Sequence, residues 1–308
     1  MAGTYHPECP NRIAHILHRL NSDKALVKCL IQEPRDDKES LSRALQAIQV
    51  VHDATYIKQV RARSLGGAPQ LQPWDSDTFM SKTTWDCVLL AQSAWLDGII
   101  HVLPDPPTSN TEPKFAFAIT RPPGHHSEAL SGQGFCIFNF AAAAAVYALQ
   151  HNLAARVSIL DFDVHYGNGV ADIVQHHPNI RYASLHQGDI YPSPPRPDGL
   201  LPTAHSNIFT VNLPSRFRIE AYMDHLTSKV LPFLLAPEHK PELLIVCAGY
   251  DALASDELAS GGLSIADYHT ISSAVRASFR GPVLYGLEGG YNLEDMPLAL
   301  EQSIRPYA

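Results

Sequence analysis

The sequence predicts an α/β protein with a central parallel sheet and helices on both faces. Six short apolar runs mostly lack polar alternation, which is typical of parallel strands that are covered on both sides. Helical patterns lie between most of these runs, and such alternation of strand and helix indicates a parallel sheet. The composition is that of a globular chain, with 308 residues, of which 45% are hydrophobic and 18% are charged. This length permits one large α/β domain or two medium ones.

The first hundred residues are predicted to be mostly helical, and strands alternate with helices after them. No internal repeat and no long linker divides the chain. The predicted strands are Phe115–Ile119, Val157–Phe162, Ile180–His186, Ile208–Leu213, Leu243–Ala248 and Val283–Leu287. The predicted helices are Arg12–Leu20, Ser40–Val50, Ala54–Arg63, Trp85–Val102, Asn139–Asn152, Arg218–Leu235, Ala266–Phe279 and Leu293–Ser303.

Charge and cysteine content narrow the possible partners and compartments. The chain has 31 acidic and 23 basic residues, so it lacks the basic surface that direct nucleic-acid binding needs. That charge suits a basic partner such as a lysine-rich peptide or a polyamine. The five cysteines have no repeated spacing and are interpreted as reduced thiols, which predicts an intracellular, reducing compartment. The longest apolar stretch, Phe135–Leu149, is too short to span a membrane, and no signal peptide is visible.

Residues that can carry chemistry follow five of the predicted strands. In open α/β sheets, sites form beyond the carboxyl ends of the strands. Each of these five strands is followed by His, Asp or Tyr beside Gly, a pattern that random placement rarely produces. The segments are Arg121–His126, Asp163–Gly169, His186–Gln187, Gly249–Asp251 and Glu288–Tyr291.

One strand end predicts a metal site. Asp161, Asp163 and His165 alternate along the chain, so their side chains share a face, and Asp-x-His can place a carboxylate and an imidazole on one ion. Asp251 is the best third ligand. Two carboxylates and one imidazole leave positions open for water and substrate, and a set without thiolate suits Zn2+ or Fe2+. A lone Asp-x-His is more often a hydrogen-bonded strand end, and the five-strand pattern favours the metal.

Two adjacent histidines are predicted to perform acid–base chemistry. His125 and His126 lie on a loop that two prolines stiffen, and imidazoles titrate near neutral pH. Each needs an acceptor behind it to fix the tautomer, and Asp161 and Asn168 are available. The alternative is a pair of solvated loop histidines.

Tyr291 is the predicted donor to a developing oxyanion. Gly289 and Gly290 allow a sharp turn before it, so its phenol can enter a cavity, where it stays protonated at neutral pH. The alternative is simple packing in a glycine turn. Phe135 and Tyr191 are candidate walls of an apolar channel, although aromatic residues at strand ends are more often core.

These residues, in this order, resemble the histone deacetylase and acetylpolyamine amidohydrolase superfamily. The resemblance implies an arginase-like three-layer fold with a central parallel sheet in a single catalytic domain, residues 1–308. Relatives usually have a further N-terminal strand, which the resemblance implies is missing here. The matching segments are His6–Arg12 (HPECPNR), Arg121–His126 (RPPGHH), Gly134–Cys136 (GFC), Asp161–Gly169 (DFDVHYGNG), Ser184–Gln187 (SLHQ), Ala248–Asp251 (AGYD) and Leu287–Tyr291 (LEGGY).

The resemblance also implies roles for individual residues. Asp163, His165 and Asp251 are similar to the three zinc ligands, and His126 to the general base that later acts as acid. The supporting catalytic residues would be His125 as electrostatic partner, Asp161 behind His125, Asn168 behind His126, and Tyr291 on the acetyl carbonyl. The substrate channel would include Phe135, Gly134, Tyr191, Leu258 and the rim residue Asp77, with Arg12 in an internal acetate cavity.

The resemblance further implies structural K+ or Na+. An inner site would use the side chains of Asp161 and Ser184 with the carbonyls of Asp163, His165 and Leu185. An outer site would use carbonyls around Val174, His177, Ile180 and Phe209. One departure is Tyr166, which replaces a second histidine common in the family motif, and it bears on packing more than on chemistry.

The leading interpretation is a zinc-dependent amidohydrolase that removes acetyl, or a related acyl group, from lysine side chains of proteins. The first alternative is a deacetylase of small acetylated amines such as acetylpolyamines. The second is a non-catalytic scaffold that binds acyl-lysine, which the loss of a metal ligand or of the tyrosine would favour. The partners would be an acetylated protein or peptide, or an acetylated polyamine. The oligomeric state stays open.

Overall fold

The central feature of the computed structural model is a mostly parallel sheet; the structure describes residues 6–23, 26, 32–66, 72–103, 114–194 and 196–308. Within those ranges seven strands form the sheet, in the order β3-β9-β8-β4-β5-β7-β6. Only the β6–β7 pair is antiparallel. The strands are β3 (Phe115–Ala118), β4 (Val157–Asp161), β5 (Ile180–Gln187), β6 (Gly199–Leu200), β7 (Ile208–Leu213), β8 (Leu243–Ala248) and β9 (Val283–Leu287).

Helices cover both faces of this sheet. Successive residues of a strand point to opposite faces, and in β4 Ile159 belongs to one buried cluster while Leu160 belongs to the other. Both residues are fully buried. The continuous apolar runs therefore reflect burial on two sides, and the predicted α/β fold with a parallel sheet is confirmed.

Helices α2, α4 and α5 pack on one face, and α1, α9 and α10 pack on the other. Three helices begin at a side-chain cap: Asp37, Asp53 and Asn139 each accept a hydrogen bond from a backbone N–H of the first turn. The long helices are α1 (Asn11–Ser22), α2 (Lys38–Val51), α3 (Ala54–Leu65), α4 (Thr84–Val102), α5 (Phe140–Gln150), α9 (Asp267–Ser278) and α10 (Asp295–Ile304).

The predicted helix Arg218–Leu235 is one segment in sequence but not in structure. It divides into α7 (Ile219–His225), a π-helical turn (Leu226–Val230) and α8 (Leu231–Leu234). Pro232 lacks a backbone N–H, so a regular α-helical ladder cannot continue through it, and the π-helical turn lies directly before it.

Other elements were not predicted. They are the short helix α6 (Asn168–Val174) and the short strands β1 (Gln72–Pro73), β2 (Phe79–Met80) and β6. These pieces span two to seven residues, which is too short for a periodic pattern to stand out. In the described part of the chain, no helix combines the length and the apolar character that crossing a membrane requires.

Candidate metal centre and active site

The three predicted metal ligands converge just beyond the carboxyl ends of β4 and β8. His165 Nδ1 lies 3.1 Å from Asp163 Oδ1 and 3.0 Å from Asp251 Oδ2. One ligand atom from each residue lies within 4.8 Å of the other two. Both aspartates are fully buried. The neighbouring strands β4 and β8 bring together residues that are far apart in sequence.

Backbone contacts aim the carboxylates at this common point. Asp163 Oδ2 accepts from Gly289 N at 2.8 Å, and Asp251 Oδ1 accepts from Val164 N at 3.0 Å. These bonds leave Asp163 Oδ1 and Asp251 Oδ2 directed at His165. A Cβ on Gly289 would lie 2.2 Å from Asp251 Oδ2, so only glycine allows the backbone to approach so closely.

The charges of these residues suit a bound cation. Burial and the charge of Asp163 raise the pKa of Asp251 to about 7. Burial lowers the pKa of His165, but the charge of Asp251 and the hydrogen bonds to Asp163 and Asp251 outweigh burial and raise it to about 10. The two buried carboxylates therefore favour positive charge at this point. A divalent ion fits this donor set of two carboxylates and one imidazole, which contains no thiolate.

The two adjacent histidines have different partners. His125 Nδ1 lies 3.1 Å from Asp161 Oδ2, whereas His126 Nδ1 lies 2.8 Å from Asn168 Oδ1. Burial lowers the pKa of His125, but the charges of Asp163 and Asp161 outweigh burial and raise it to about 10. Burial and the charges on neighbouring histidines hold the pKa of His126 well below its usual value. The pair therefore combines one charged and one neutral imidazole at neutral pH.

Glu288 fixes the loop that carries both histidines. Its Oε2 accepts from Gly124 N at 2.6 Å and from His125 N at 3.0 Å. The residue is fully buried, and burial raises its pKa to about 7. Glu288 begins the strand-end segment that leads to Tyr291, so one short segment supports the histidine loop and presents the tyrosine.

Tyr291 is buried beside the metal ligands and the channel. Its backbone N donates to Asp256 Oδ2 at 2.7 Å, and its ring centroid lies 5.6 Å from that of Phe135. Gly290, with φ of +110°, supplies a backbone turn that other residues rarely adopt. Burial raises the pKa of the Tyr291 hydroxyl well above 10, so it keeps its proton and can donate.

The predicted channel residues lie around the histidine loop. The Tyr191 ring packs edge-on against His126 with centroids 4.9 Å apart, and its hydroxyl donates to Gln133 Oε1 at 2.8 Å. Gly134 lies between them, since a Cβ there would be 2.7 Å from His126 Cδ2 and 2.9 Å from Tyr191 Cε1. Gly134 and Phe135 both have positive φ, of +54° and +68°.

The predicted rim residue Asp77 and the predicted channel wall Leu258 are more exposed. The carbonyl of Asp77 lies 2.9 Å from His6 Nε2, and the His6 ring packs against Phe135 with centroids 4.9 Å apart. Leu258 is 38% exposed, and its backbone N donates to Asp256 Oδ1 at 2.9 Å. Asp256 therefore links Leu258 to the backbone of Tyr291.

Arg12 lies behind this site and is fully buried. Its Nε donates to Gly290 O at 2.7 Å, and another guanidinium nitrogen donates to the carbonyl of Glu288. The guanidinium also lies 4.9 Å from the centroid of the Tyr291 ring. The predicted cavity arginine thus contacts the segment that presents the tyrosine.

The side chains predicted for the inner monovalent cation come from neighbouring strands. Asp161 on β4 and Ser184 on β5 are direct register partners. Asp161 Oδ2 also accepts from the Tyr182 hydroxyl at 2.9 Å, and Ser184 Oγ lies 2.9 Å from His186 Nδ1. Leu185 is the next residue of β5, and Tyr166 packs against His186 with ring centroids 5.0 Å apart.

Three of the carbonyls predicted around the outer cation lie close to one side chain. Asn207 Nδ2 donates to the carbonyls of Val174 at 2.8 Å, His177 at 3.2 Å and Ile180 at 2.9 Å. Asn207 is therefore an additional partner of three of these four carbonyls, and the outer cation stays a prediction. The resemblance alone did not anticipate Asn207, because it lies outside the matching motifs.

Four supporting residues were missed by the analysis of single motifs. Glu288 was placed in a strand-end segment, but no role was assigned to it. No motif or spacing in the sequence pointed to Glu128, Asp256 or Asn207. Each acts by binding a backbone group or a side chain from a distant segment. Such contacts depend on tertiary structure, so no spacing rule along the chain identifies them.

Comparisons with known proteins agree with this geometry. The histone deacetylase domain family matches residues 6–306. "Uncharacterized protein slr0245" of Synechocystis is 37% identical, covering 99% of this chain and 94% of that protein. "Histone deacetylase 14, chloroplastic" of Arabidopsis thaliana is 28% identical, covering 97% and 72%. "Polyamine deacetylase HDAC10" of Homo sapiens is 29% identical, covering 94% and 43%.

A solved structure shares the fold. The crystal structure of the HDA15 HD domain superposes with a TM-score of 0.84 at 28% identity. The match covers 99% of this chain and 82% of that one.

Proposed function

This chain belongs to the histone deacetylase family, and we propose that it removes acetyl or related acyl groups from lysine side chains of proteins. It is a hydrolase that acts on amide bonds. We further propose that residues 1–308 act as one catalytic domain and that the metal is Zn2+, with Fe2+ as the alternative. The observation that carries the proposal is the convergence of three metal ligands, a histidine pair and a buried tyrosine.

A zinc ion held by Asp163, His165 and Asp251 would polarise the acyl carbonyl and lower the pKa of water to about 7. His126 is the general base, because its pKa is low and its Nδ1 is held by Asn168 Oδ1. It accepts a proton at Nε2 as water attacks the amide carbon.

The remaining residues stabilise charge and complete the proton transfer. The Tyr291 hydroxyl donates to the carbonyl oxygen, and this bond strengthens as the oxygen becomes negative. The positive charge of His125 lies beside His126 and disfavours a second charge there, which promotes return of the proton to the leaving amine. Breakage of the C–N bond then gives a free amine and a carboxylate.

The channel suits a neutral acylated side chain. Phe135 and Tyr191 would border its apolar stem, with Gly134 leaving room between Tyr191 and His126. We propose Leu258 as a further apolar wall of the channel, Asp77 at its rim and Arg12 in the acetate cavity. We also propose K+ or Na+ at Asp161, Asp163, His165, Ser184 and Leu185. The proposed partner is an acetylated protein or peptide. The proposed compartment is intracellular and reducing.

An acetylated polyamine is the second candidate substrate. The carboxylates of Asp75 and Asp77 lie together, and burial, a hydrogen bond between the two side chains and the charge of Asp75 raise the pKa of Asp77. Such a pair would attract the free ammonium groups of a polyamine. The scaffold interpretation is disfavoured, because the chain retains every predicted ligand, both histidines and the tyrosine.

One substrate panel tests these alternatives. Purified protein, loaded with zinc, is assayed on acetyl-lysine peptides, longer acyl-lysine peptides and free acetylpolyamines. We expect hydrolysis of acyl-lysine peptides with the highest kcat/KM. Preference for acetylpolyamine would support the second candidate. Tight binding of acyl-lysine peptide without turnover would support the scaffold and contradict both enzymes. The matched control is Tyr291→Phe, which retains the ring.

A further inference from the structure

Asn168 bridges the proposed general base and a carboxylate that the mechanism has not used. Its Oδ1 lies 2.8 Å from His126 Nδ1, and its Nδ2 donates to Glu128 Oε1 at 2.7 Å. The same Nδ2 also lies 3.5 Å from the carbonyl oxygen of His126. Asn168 is buried and Glu128 is half-buried. The amide nitrogen is therefore faced by two acceptors.

These contacts fix which way the amide points. An ionised carboxylate only accepts hydrogen bonds, so it selects the NH2 end of the Asn168 amide. The oxygen end must then face His126, and an oxygen only accepts. In a neutral imidazole one ring nitrogen carries the proton and the other is basic. Nδ1 must therefore carry the proton, and Nε2 is left free to accept one.

Without the carboxylate only the His126 carbonyl, at the hydrogen-bond limit of 3.5 Å, would oppose the reverse arrangement of the amide. Rotation of the amide by 180° would present NH2 to His126 Nδ1, which would then have to be the acceptor. The proton would move to Nε2, and the imidazole could not act as a base toward the substrate. An asparagine alone therefore does not define the tautomer of His126, whereas the pair of Asn168 and Glu128 does.

We propose that Glu128 is a positioning residue: through Asn168 it keeps the proton of neutral His126 on Nδ1 and so maintains Nε2 as the general base. The proposal rests on the proposed function only for the role of His126 Nε2. Glu128 does not reach the substrate and acts through two hydrogen bonds in series.

Glu128 is well placed for this task because its backbone is anchored. Its carbonyl accepts from His52 Nδ1, and its N–H donates to Ser131 O, both at 3.0 Å. The next residue, Ala129, donates to Asp172 Oδ2 at 2.9 Å. The loop position is thus set by contacts that do not involve the Glu128 carboxylate.

The first test exchanges the carboxylate and the amide between Glu128 and Asn168. Glu128→Gln offers Asn168 either an oxygen or an NH2, so the amide can rotate. We expect kcat to fall about ten-fold or more, because a general base contributes about 10²–10⁴-fold and only part of that would be lost. The KM and the metal content should not change. In the double variant Glu128→Gln with Asn168→Asp, the glutamine NH2 donates to the aspartate, whose other oxygen accepts from Nδ1–H. We expect kcat to recover several-fold relative to Glu128→Gln alone.

The second test reads the proton directly and does not need activity. Nitrogen-15 NMR of histidine-labelled protein distinguishes the two tautomers, and comparison with His126→Asn assigns the signal of His126. We expect protonated Nδ1 in the wild type and a mixture of tautomers in Glu128→Gln. The same tautomer in both proteins would overturn the proposal, even if the wild type hydrolysed none of the acyl substrates tested.

Asp172→Asn is the matched control for loop position. Its side chain still accepts from Ala129 N but loses the charge next to the same loop. We expect the tautomer of His126 to be that of the wild type and kcat to change less than two-fold. An equal fall of kcat in Asp172→Asn and Glu128→Gln, or no recovery in the double variant, would assign the effect to the loop instead.

Discussion

The metal centre and the channel rim use the same sheet in different ways. Asp163 and Asp251 follow strand ends directly, are fully buried, and have backbone N–H groups on their outer oxygens. Tyr191 and Leu258 lie on loops, and each is 38% exposed. The difference teaches that strands of the buried core position the predicted metal ligands, while the predicted channel residues lie on loops at the surface.

The strongest test of this contrast removes a metal ligand. Asp251→Ala takes away one of three ligands and leaves the pair of Asp163 and His165. We expect loss of both bound metal and hydrolysis, because the remaining donors cannot retain the ion in an open site. Elemental analysis of folded protein measures the first and substrate turnover the second. Full zinc occupancy in Asp251→Ala would show that the ion is bound elsewhere.

Removal of the general base should have the next largest effect. His126→Ala is expected to lower turnover by about 10²–10⁴-fold while metal stays bound, because general acid–base catalysis is worth that much. Turnover on one acetyl-lysine peptide and metal content are measured on the same sample. Turnover near that of the wild type would move the base role to another residue, with His125 as the first to examine.

Loss of the tyrosine hydroxyl should be slightly milder. Tyr291→Phe keeps the ring against Phe135 and removes only the donor, so the fall in turnover should be about 10²–10³-fold, as for the loss of one oxyanion donor. Substrate affinity should change little, since the bond strengthens mainly in the transition state. Single-turnover rates decide the matter. Equal rates, with chemistry limiting, would reduce Tyr291 to a packing residue.

The rim should give the smallest effect. Asp77→Asn removes a partly exposed charge, and exposed ion pairs are worth about 0.2–1 kcal/mol. The KM for an acetylpolyamine should therefore rise by about 1.4- to five-fold. The kcat should remain unchanged, and high salt should erase the difference. A neutral acetyl-lysine substrate is the control. A large fall in kcat would place Asp77 in the catalytic machinery and blur the contrast between centre and rim.

The buried strands and the residues that follow them are the part of the structure that the sequence predicts best. Strands Ile208–Leu213, Leu243–Ala248 and Val283–Leu287 have the predicted bounds, because burial on both faces leaves an unbroken apolar run. The metal ligands and the histidine pair follow from their position after such strands.

Residues that support the site escape this reasoning. Glu128, Glu288 and Asp256 are ordinary acidic residues until the fold places a backbone N–H or an amide opposite them. The predicted helix Arg218–Leu235 is a second case, because its apolar pattern does not reveal the π-helical turn before Pro232.

Asn207 joins the end of α6 to the start of β5 through hydrogen bonds of its own side chain. A bound ion stabilises a fold by mass action, so its contribution grows and shrinks with the free concentration of that ion. The side-chain amide of Asn207, in contrast, is part of the chain, and it donates to the carbonyls of Val174, His177 and Ile180. Because that donor belongs to the chain, the contribution of these hydrogen bonds at the junction of α6 and β5 does not depend on the free concentration of an ion.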